Sequence, residues 1–498
     1  MSFKVKVALV SYITVLLLNP LVFYVIAQRM EGQQRAHIVR VGFFVTAQIV
    51  MLLWSYMIWI RFTHLFRSIC GVRSVSQHAG ITAARSGEVP PGTPAPPAAT
   101  ITGNVFCYDF LKSALGTLLI ANHSCFLMYY ILLGSEPHWF ALLSFTANVF
   151  AFHLASFLLL FIVLHSTTNV LGRRSWGRAL LEPVFSFPPN RLLCQNINVQ
   201  TTFSFFIAAL LTLHGLSRAF GFPKVRAGAI EINGLPAAFE GIKIAHLTDL
   251  HVGPTVGRTR MKIVVDIVNE LKPDIVTIAG DLVDGYEDYL VEAISPLKSI
   301  RSRLGIYFAT GNHEYYHGNI EHWFAYLSAA GVVVLHNSHA KITPTKAYYG
   351  LNATLGGSVP EPYLCLAGVD DWSAERSGVP GHRLDINAAL LGCNEMRHIV
   401  IVLCHQPRGA QQIIYSDHRI DLILAGHTHG GQLWLLSPLS MLTNPFFTGL
   451  YRFTSGPQVY VSKGVHFWGP PVKNTGMEIS FIRLTGNATK LLSDHESN

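Results

Sequence analysis

Between residues 249 and 429 the chain carries five short blocks of metal-capable side chains. They are Asp249-Leu250-His251, Gly280-Asp281 followed by Asp284, Gly311-Asn312-His313-Glu314, the single His405, and Gly426-His427-Thr428-His429. Carboxylate, imidazole and amide oxygen are hard to borderline donors, suited to Mn, Fe or Zn rather than to Ca alone. Seven ligands from such a set are too many for one ion and suit two five- or six-coordinate ions that share one carboxylate and solvent. Singly, each block has a bland reading: Asp249 as a turn residue, Gly280-Asp281 as a helix cap. Most of the fifteen histidines after residue 223, such as His246, His317 and His495, are surface or satisfied core groups.

What joins the blocks is the chain before each of them. IKIAHL, DIVTIAG, GIYFATG, HIVIVLC and DLILAG are short apolar runs that read as strands buried on both faces, and each ends on one of the blocks. Met261, Val264, Val265, Val268 and Leu271 recur at helical spacing before Pro273, and NIEHWFAYLSAAG is a second amphipathic helix. VVVL, PYLCLAGV, QVYVSKG and EISFIRL add further strands. Strands alternating with helices predict a layered α/β fold, largely parallel in its first part, whose ligand site lies beyond the carboxyl ends of the strands. Glycines 280, 311, 426, 430 and 431 would permit tight turns there.

In this order the motifs D-x-H, G-D-x-x-D, G-N-H-E, a lone His and G-H-x-H resemble the calcineurin-like metallophosphoesterase family, over about Ala237 to Leu484. The resemblance implies a β-sandwich flanked by helices that binds two divalent cations, Mn, Fe or Zn. One ion would be held by Asp249, His251, Asp281 and His429, the other by Asp281, Asn312, His405 and His427, with Asp281 bridging. Two such cations polarise phosphoryl oxygens and bring a bridging water towards neutral pKa, so that hydroxide attacks phosphorus in line. By the same resemblance His313 protonates the leaving oxygen as general acid, and Asp284 keeps it charged and oriented. The chain departs from the phosphoprotein-phosphatase branch, which follows its second Asp with a phosphate-clamping arginine, where this chain has Gly285. Arg408 reads as a surface arginine at a helix start. The missing clamp disfavours a protein phosphatase and suits the phosphodiesterase-like and lipid-acting branches.

The rest of the chain belongs to a bilayer. Half of its 498 residues are apolar and 13% are charged. Residues 1–223 hold 15 Lys+Arg against 5 Asp+Glu, whereas 224–498 hold 22 against 24. The basic balance therefore belongs to the apolar half, and no nucleic-acid partner is indicated for the folded module. Five stretches approach the roughly 20 residues needed to cross hydrocarbon: 7–28, 41–60, 115–134, 139–164 and 203–220, with a Pro-rich loop at 86–103. The expected domains are a membrane region at 1–223 and the metallophosphoesterase domain at 224–498. An N-terminus inside places eleven basic residues in the cytoplasm against Arg29, Arg35 and Arg40 outside. That puts the catalytic domain on the lumenal or extracellular side, as do the sequons at Asn352 and Asn487. Without the crossing at 203–220 the topology would flip.

Seven scattered cysteines form no framework; one bridge among Cys365, Cys393 and Cys404 would be open to an extracytoplasmic domain, but the reading adopted is an unpaired buried thiol at each. Asn122, His123, His153 and His214 within the spans are expected to serve inter-helix hydrogen bonding rather than transport. The aromatics around the site are expected to pack in core or loops, with SPLSMLTNPFFTGLYRF as a candidate membrane-facing rim. These readings converge on a membrane-anchored phosphoester hydrolase acting on a small molecule or a lipid- or glycan-linked phosphodiester. The alternative is a membrane receptor or transporter-associated domain that binds metal without turnover.

Overall fold

The computed structural model describes residues 3–74, 101–317, 319–349, 362–393, 398–454 and 456–486. Residues 86–100 of the Pro-rich loop, Asn352 and Asn487 lie outside them. The N-terminal apolar runs form α1 (Phe3–Ala27), α2 (Gly32–Ile69), α3 (Val105–Ser124), α4 (Trp139–Gly172), α5 (Ser175–Phe185), α6 (Pro188–Gln195) and α7 (Ile197–Phe220). A single 3-10 turn at Cys125–Leu127 carries α3 on into Met128–Ile131. Among the described residues four helices are long and apolar enough to cross a membrane: Gln34–Ile69, Val105–Ile131, Trp139–Gly172 and Ile197–Phe220. They overlap the last four expected spans. The described apolar part of α1, Thr14–Ala27, is shorter than a span. Pro20 lies inside α1, and Asn19 beside it donates to Thr46 Oγ1 at 2.6 Å.

Packing divides the chain into two units. One comprises Val50–Ser124 and Ala147–Leu211. Here polar side chains of the spans meet one another: Ser55 Oγ lies 3.0 Å from His123 Nε2, and Asn148 donates to Asn122 Oδ1 at 3.0 Å. Cys70 is bridged to Cys107 in this unit.

The other unit comprises Met1–Ile49, Cys125–Thr146 and Thr212–Asn498. Its strands are β1 (Lys224–Ile232), β2 (Lys243–Leu247), β3 (Ile275–Ala279), β4 (Ile306–Ala309), β5 (Val332–Val334), β6 (Ser338–Ile342), β7 (Ala347–Tyr349), β8 (Leu364–Gly368), β9 (Ile399–Leu403), β10 (Leu422–Ala425), β11 (Gly449–Tyr451), β12 (Gln458–Val461) and β13 (Glu478–Gly486). One sheet runs β1-β13-β2-β3-β4-β5, with β2 to β5 parallel. The second runs β11-β12-β10-β9-β8-β6-β7, with β8, β9, β10 and β12 parallel.

Side chains alternate across each strand. From β2 and β3, Ile244, Ile275 and Ala279 join Leu364, Leu366, Ile401 and Leu422 in a core between the sheets. Ala245, Leu247, Val276 and Ile278 face the other way, onto α8 (Arg258–Leu271) and α9 (Glu287–Ile294). Beyond the second sheet lies α12 (Pro407–Ile414), which follows α10 (Asn312–His317) and α11 (Ile320–Ala329) in chain order. Two sheets packed face to face between helix layers are the expected sandwich.

The cysteine reading is corrected here. Cys365 on β8 and Cys393 form a disulfide, and only Cys404 of the three remains a buried thiol. Scattered spacing concealed the pair, because 28 residues separate partners whose Cα atoms lie 6.3 Å apart.

Segments that enter from the spans dock on this unit. Gly257, the N-cap of α8, has no capping side chain, and Glu136 of the α3–α4 connection accepts from Thr259 N at 2.7 Å in its place. Ser135 O accepts from Arg258 N, and Gly32 N at the start of α2 donates to Gly378 O.

Candidate metal centre and its cavity

The parallel strands β2, β3, β4, β9 and β10 deliver the five sequence blocks to one place. Ligand-type atoms of Asp249, His251 and His429 lie within 4.8 Å of one another, as do those of His251, Asp281 and His313, and those of Asp281, His405 and His427. The groups overlap through His251 and Asp281. Asn312 lines the same cavity as Asp281 and His427, donating to Tyr316 Oη at 2.9 Å and accepting a long 3.4 Å bond from Gln406.

The backbone is strained where these residues sit. Of the eight described non-glycine residues with positive φ, five are Asp249, His251, Asp281, His427 and His429. Left-handed conformation costs an ordinary L-residue about 1–2 kcal/mol, and its concentration here marks a constrained site. Glycine serves two purposes among the turns. Gly280 has φ +78°, as a turn requires, but Gly426 is needed for closeness: a Cβ there would fall 2.1 Å from Thr248 Oγ1 and 2.6 Å from Asp249 Oδ2. Gly311 is likewise pressed on Asp281 rather than turned.

Hydrogen bonding restricts the imidazoles. His405 Nδ1–H donates to Ala279 O at 2.7 Å, so its Nε2 is the atom presented to Asp281 Oδ2 at 3.1 Å, without hydrogen-bonding geometry. Asp284 Oδ1 accepts from His251 Nδ1 at 3.1 Å and from His313 Nδ1 at 2.5 Å. His251 Nε2 then meets His429 Nε2 at 3.0 Å, and His429 Nε2 is 3.3 Å from Asp249 Oδ1. Ring nitrogens converging on one another and on buried carboxylates are a donor set for cations, since Asp249, Asp281, Asp284 and Glu314 are all buried. Carboxylates in such surroundings require compensating charge. The residues present therefore fit divalent metal.

Electrostatics follows from the same contacts. Burial works against charge on His313, but Asp281 and Asp284 outweigh it and raise its pKa to about 9. Burial pushes Asp281 up, yet His405 and His313 hold it well below the ordinary carboxylate range. His427 is brought down to about 4 by burial and then by the charge on His405.

Several roles escaped the sequence. Glu314 accepts from the backbone N–H groups of Gly311, Asp281 and Leu282 at 2.6, 3.0 and 2.7 Å, tying the β3 and β4 loops together. Lys473 is buried behind His429, 3.3 Å from its Nδ1, with Lys463 O accepting at 2.6 Å. Burial lowers its pKa to about 7. A cavity of about 390 Å³ stands over the site, and its lining includes Val39, Arg40, Phe43, Phe44 and Tyr129 from the N-terminal helices. Nothing in the local sequence marks residues more than 150 positions away as neighbours. Arg408 points elsewhere, donating to Thr443 O at 3.0 Å.

The aromatic readings divide. Tyr315, Phe446 and Phe467 are core, whereas Tyr316 and Trp468 line the cavity. Trp434 is half exposed and rests on His214 of α7, ring centroids 4.8 Å apart.

Comparison with known proteins gives the chain's relatives. The calcineurin-like phosphoesterase family profile matches residues 242–431. The transmembrane protein with metallophosphoesterase domain of Danio rerio is 35% identical over 450 residues, 90% of each chain. Its namesake in Bos taurus is 36% identical over 74% of this chain and 78% of that one. An uncharacterized metallophosphoesterase of Helicobacter pylori is 34% identical over 54% of this chain and 65% of its own.

Proposed function

The chain belongs to the calcineurin-like metallophosphoesterase family, and from that premise we propose that it is a membrane-anchored phosphoester hydrolase working with two divalent ions, Mn, Fe or Zn. The carrying observation is the run of three His/Asp groups, Asp249–His251–His429, His251–Asp281–His313 and Asp281–His405–His427, overlapping through His251 and Asp281 at a cavity that His313 lines. Asp249, His251, Asp281 and His429 would hold one ion, and Asp281, Asn312, His405 and His427 the other. Residues 1–223 form the membrane region and 224–498 the hydrolase, on the lumenal or extracellular side. The preferred substrate is a lipid- or glycan-linked phosphodiester, because the domain is tethered at a bilayer.

Bound cations would supply charge to polarise phosphoryl oxygens and acidity to a water that attacks phosphorus. The chain's own residues do the rest. Asp284 takes Nδ1–H of His313 and leaves Nε2–H to be delivered. As the P–O bond to the leaving group breaks, that proton passes to the leaving oxygen, so no free alkoxide is expelled. Asp284 also takes Nδ1–H of His251, which fixes the tautomer in which Nε2 is a donor atom for metal. Glu314 sets the backbone on which Asp281 and Asn312 stand.

The test uses purified full-length protein loaded with Mn²⁺. Elemental analysis should find two ions per chain, fewer in Asp281→Asn, and hydrolysis of a chromogenic phosphoester should fall with metal content. Metal binding without turnover across mono- and diesters would favour a receptor instead.

A further inference from the structure

We propose that the substrate is a lipid: a phosphoester whose long hydrocarbon chain enters the site from the bilayer along the N-terminal helices. The inference rests on the hydrolase reading and names what it acts on.

The cavity is lined in two unlike ways. Asp281, Asn312, His313, His427 and His429 line it with metal-capable groups, and Val39, Phe43, Phe44 and Tyr129, with Trp468 against the His313 ring at 5.5 Å, supply its apolar wall. From the N-terminal helices the only polar side-chain groups among the described lining residues are the Tyr129 hydroxyl and the Arg40 guanidinium, too few for the several hydroxyls of a sugar, which are penalised when left unpaired on apolar rings. Phenyl and isopropyl groups instead suit methylenes. The wall is built rather than incidental: Phe44 stacks on Phe126 at 4.8 Å and on Tyr129 at 6.0 Å, Tyr129 meets Phe145 edge-on at 5.5 Å, and Phe43 approaches Trp468 at 6.5 Å.

The same wall is built from the ends of two candidate spans. Val39 to Phe44 are near the start of the span Gln34–Ile69, and Tyr129 is near the end of the span Val105–Ile131. Val39 and Phe43 are both lining residues and about half exposed, at 46% and 49%, so they join the cavity to the outer surface of α2. Next to His429 the chain adds an apolar lip, α13 (Ser437–Thr443), with Leu439, Met441 and Leu442 exposed and Trp434 resting on His214 of the last span. Exposed leucines beside a transmembrane helix belong in lipid. Arg40 lines the cavity on the turn of α2 between Val39 and Phe43, its guanidinium 4.8 Å from the Tyr130 ring. That places a fixed cation where the headgroup of a chain lying on α2 would come.

The experiment uses full-length protein in mixed micelles with Mn²⁺ and a series of p-nitrophenyl alkyl phosphodiesters from methyl to hexadecyl at fixed mole fraction. Wild type should show kcat/KM rising about tenfold or more along the series, since a buried methylene contributes substantially to binding. Val39→Ser and Phe43→Ser, both at partly exposed positions, should each compress the hexadecyl-to-methyl ratio several-fold. A ratio near one in wild type overturns the inference. So does a steep ratio that neither substitution changes, because micellar partitioning alone would then account for it. Hydrolysis of every ester at one rate would leave the hydrolase reading standing and remove only the lipid, whereas hydrolysis of none of them, with p-nitrophenyl phosphate inert as well, removes both.

Discussion

Asp284 is the residue on which two tasks meet, since one oxygen accepts from both His251 and His313. If His313 delivers a proton, its value depends on what leaves. An alkoxide needs protonation, whereas p-nitrophenolate departs unaided, so His313→Ala should slow esters of aliphatic alcohols by about 10²–10⁴-fold and nitrophenyl esters far less. Asp284→Asn should show the same leaving-group bias, together with weaker metal retention through His251. Parallel kinetics on the two ester classes with elemental analysis check this, and equal losses on both classes would count against a general acid. At this level the sequence was informative because every metal-capable block stands at the end of an apolar run. It could not show Arg40 or Phe43, whose approach is purely tertiary, nor that Gly426 is small for the sake of Asp249 rather than for a turn.

The strands place these residues, and Glu314 locks the strand ends together. Its carboxylate accepts from Asp281 N, Leu282 N and Gly311 N, so loops after β3 and β4 share one buried anchor. Glu314→Ala would leave four buried N–H groups, those of Gly311, Asp281, Leu282 and Val283, without that partner, and a loss of about 3 kcal/mol or more follows. Thermal unfolding should register this, with metal content falling as Asp281 and Asn312 lose register; an unchanged Tm would show that solvent replaces the carboxylate. Runs buried on both faces were legible as strands, β2, β3, β9 and β10 among them, because a continuous apolar segment has few other homes. β1 and β6 were not. Lys224–Ile232 is exposed over its first six residues and Ser338–Ile342 reads SHAKI, so neither carries an apolar run, and their pairing is decided by neighbouring strands.

Across the whole chain, the redox state of two cysteine pairs, Cys70 with Cys107 and Cys365 with Cys393, reports which side of the bilayer the hydrolase occupies. Gly32, at the start of α2, is hydrogen-bonded to Gly378 beside the sandwich, and Cys70 follows the end of the same helix. A 38-residue helix is about 57 Å long, nearly twice the hydrocarbon thickness. If α2 crosses, Cys70 and its partner Cys107 face one compartment while Cys365 and Cys393 face the other. Only one of those compartments is oxidising. The basic residues favour a cytoplasmic side for the loops holding Cys70 and Cys107, so in cells the Cys365–Cys393 bridge should persist, whereas the Cys70–Cys107 pair, bridged in the structure, should be found reduced. Alkylation before and after reduction, read by mass spectrometry on protein from intact membranes, distinguishes the pairs. Enzymatic deglycosylation should shift the same protein if Asn352 or Asn487 carries glycan. Cys365 and Cys393 reduced, with Cys70 and Cys107 bridged, would put the hydrolase in the cytosol.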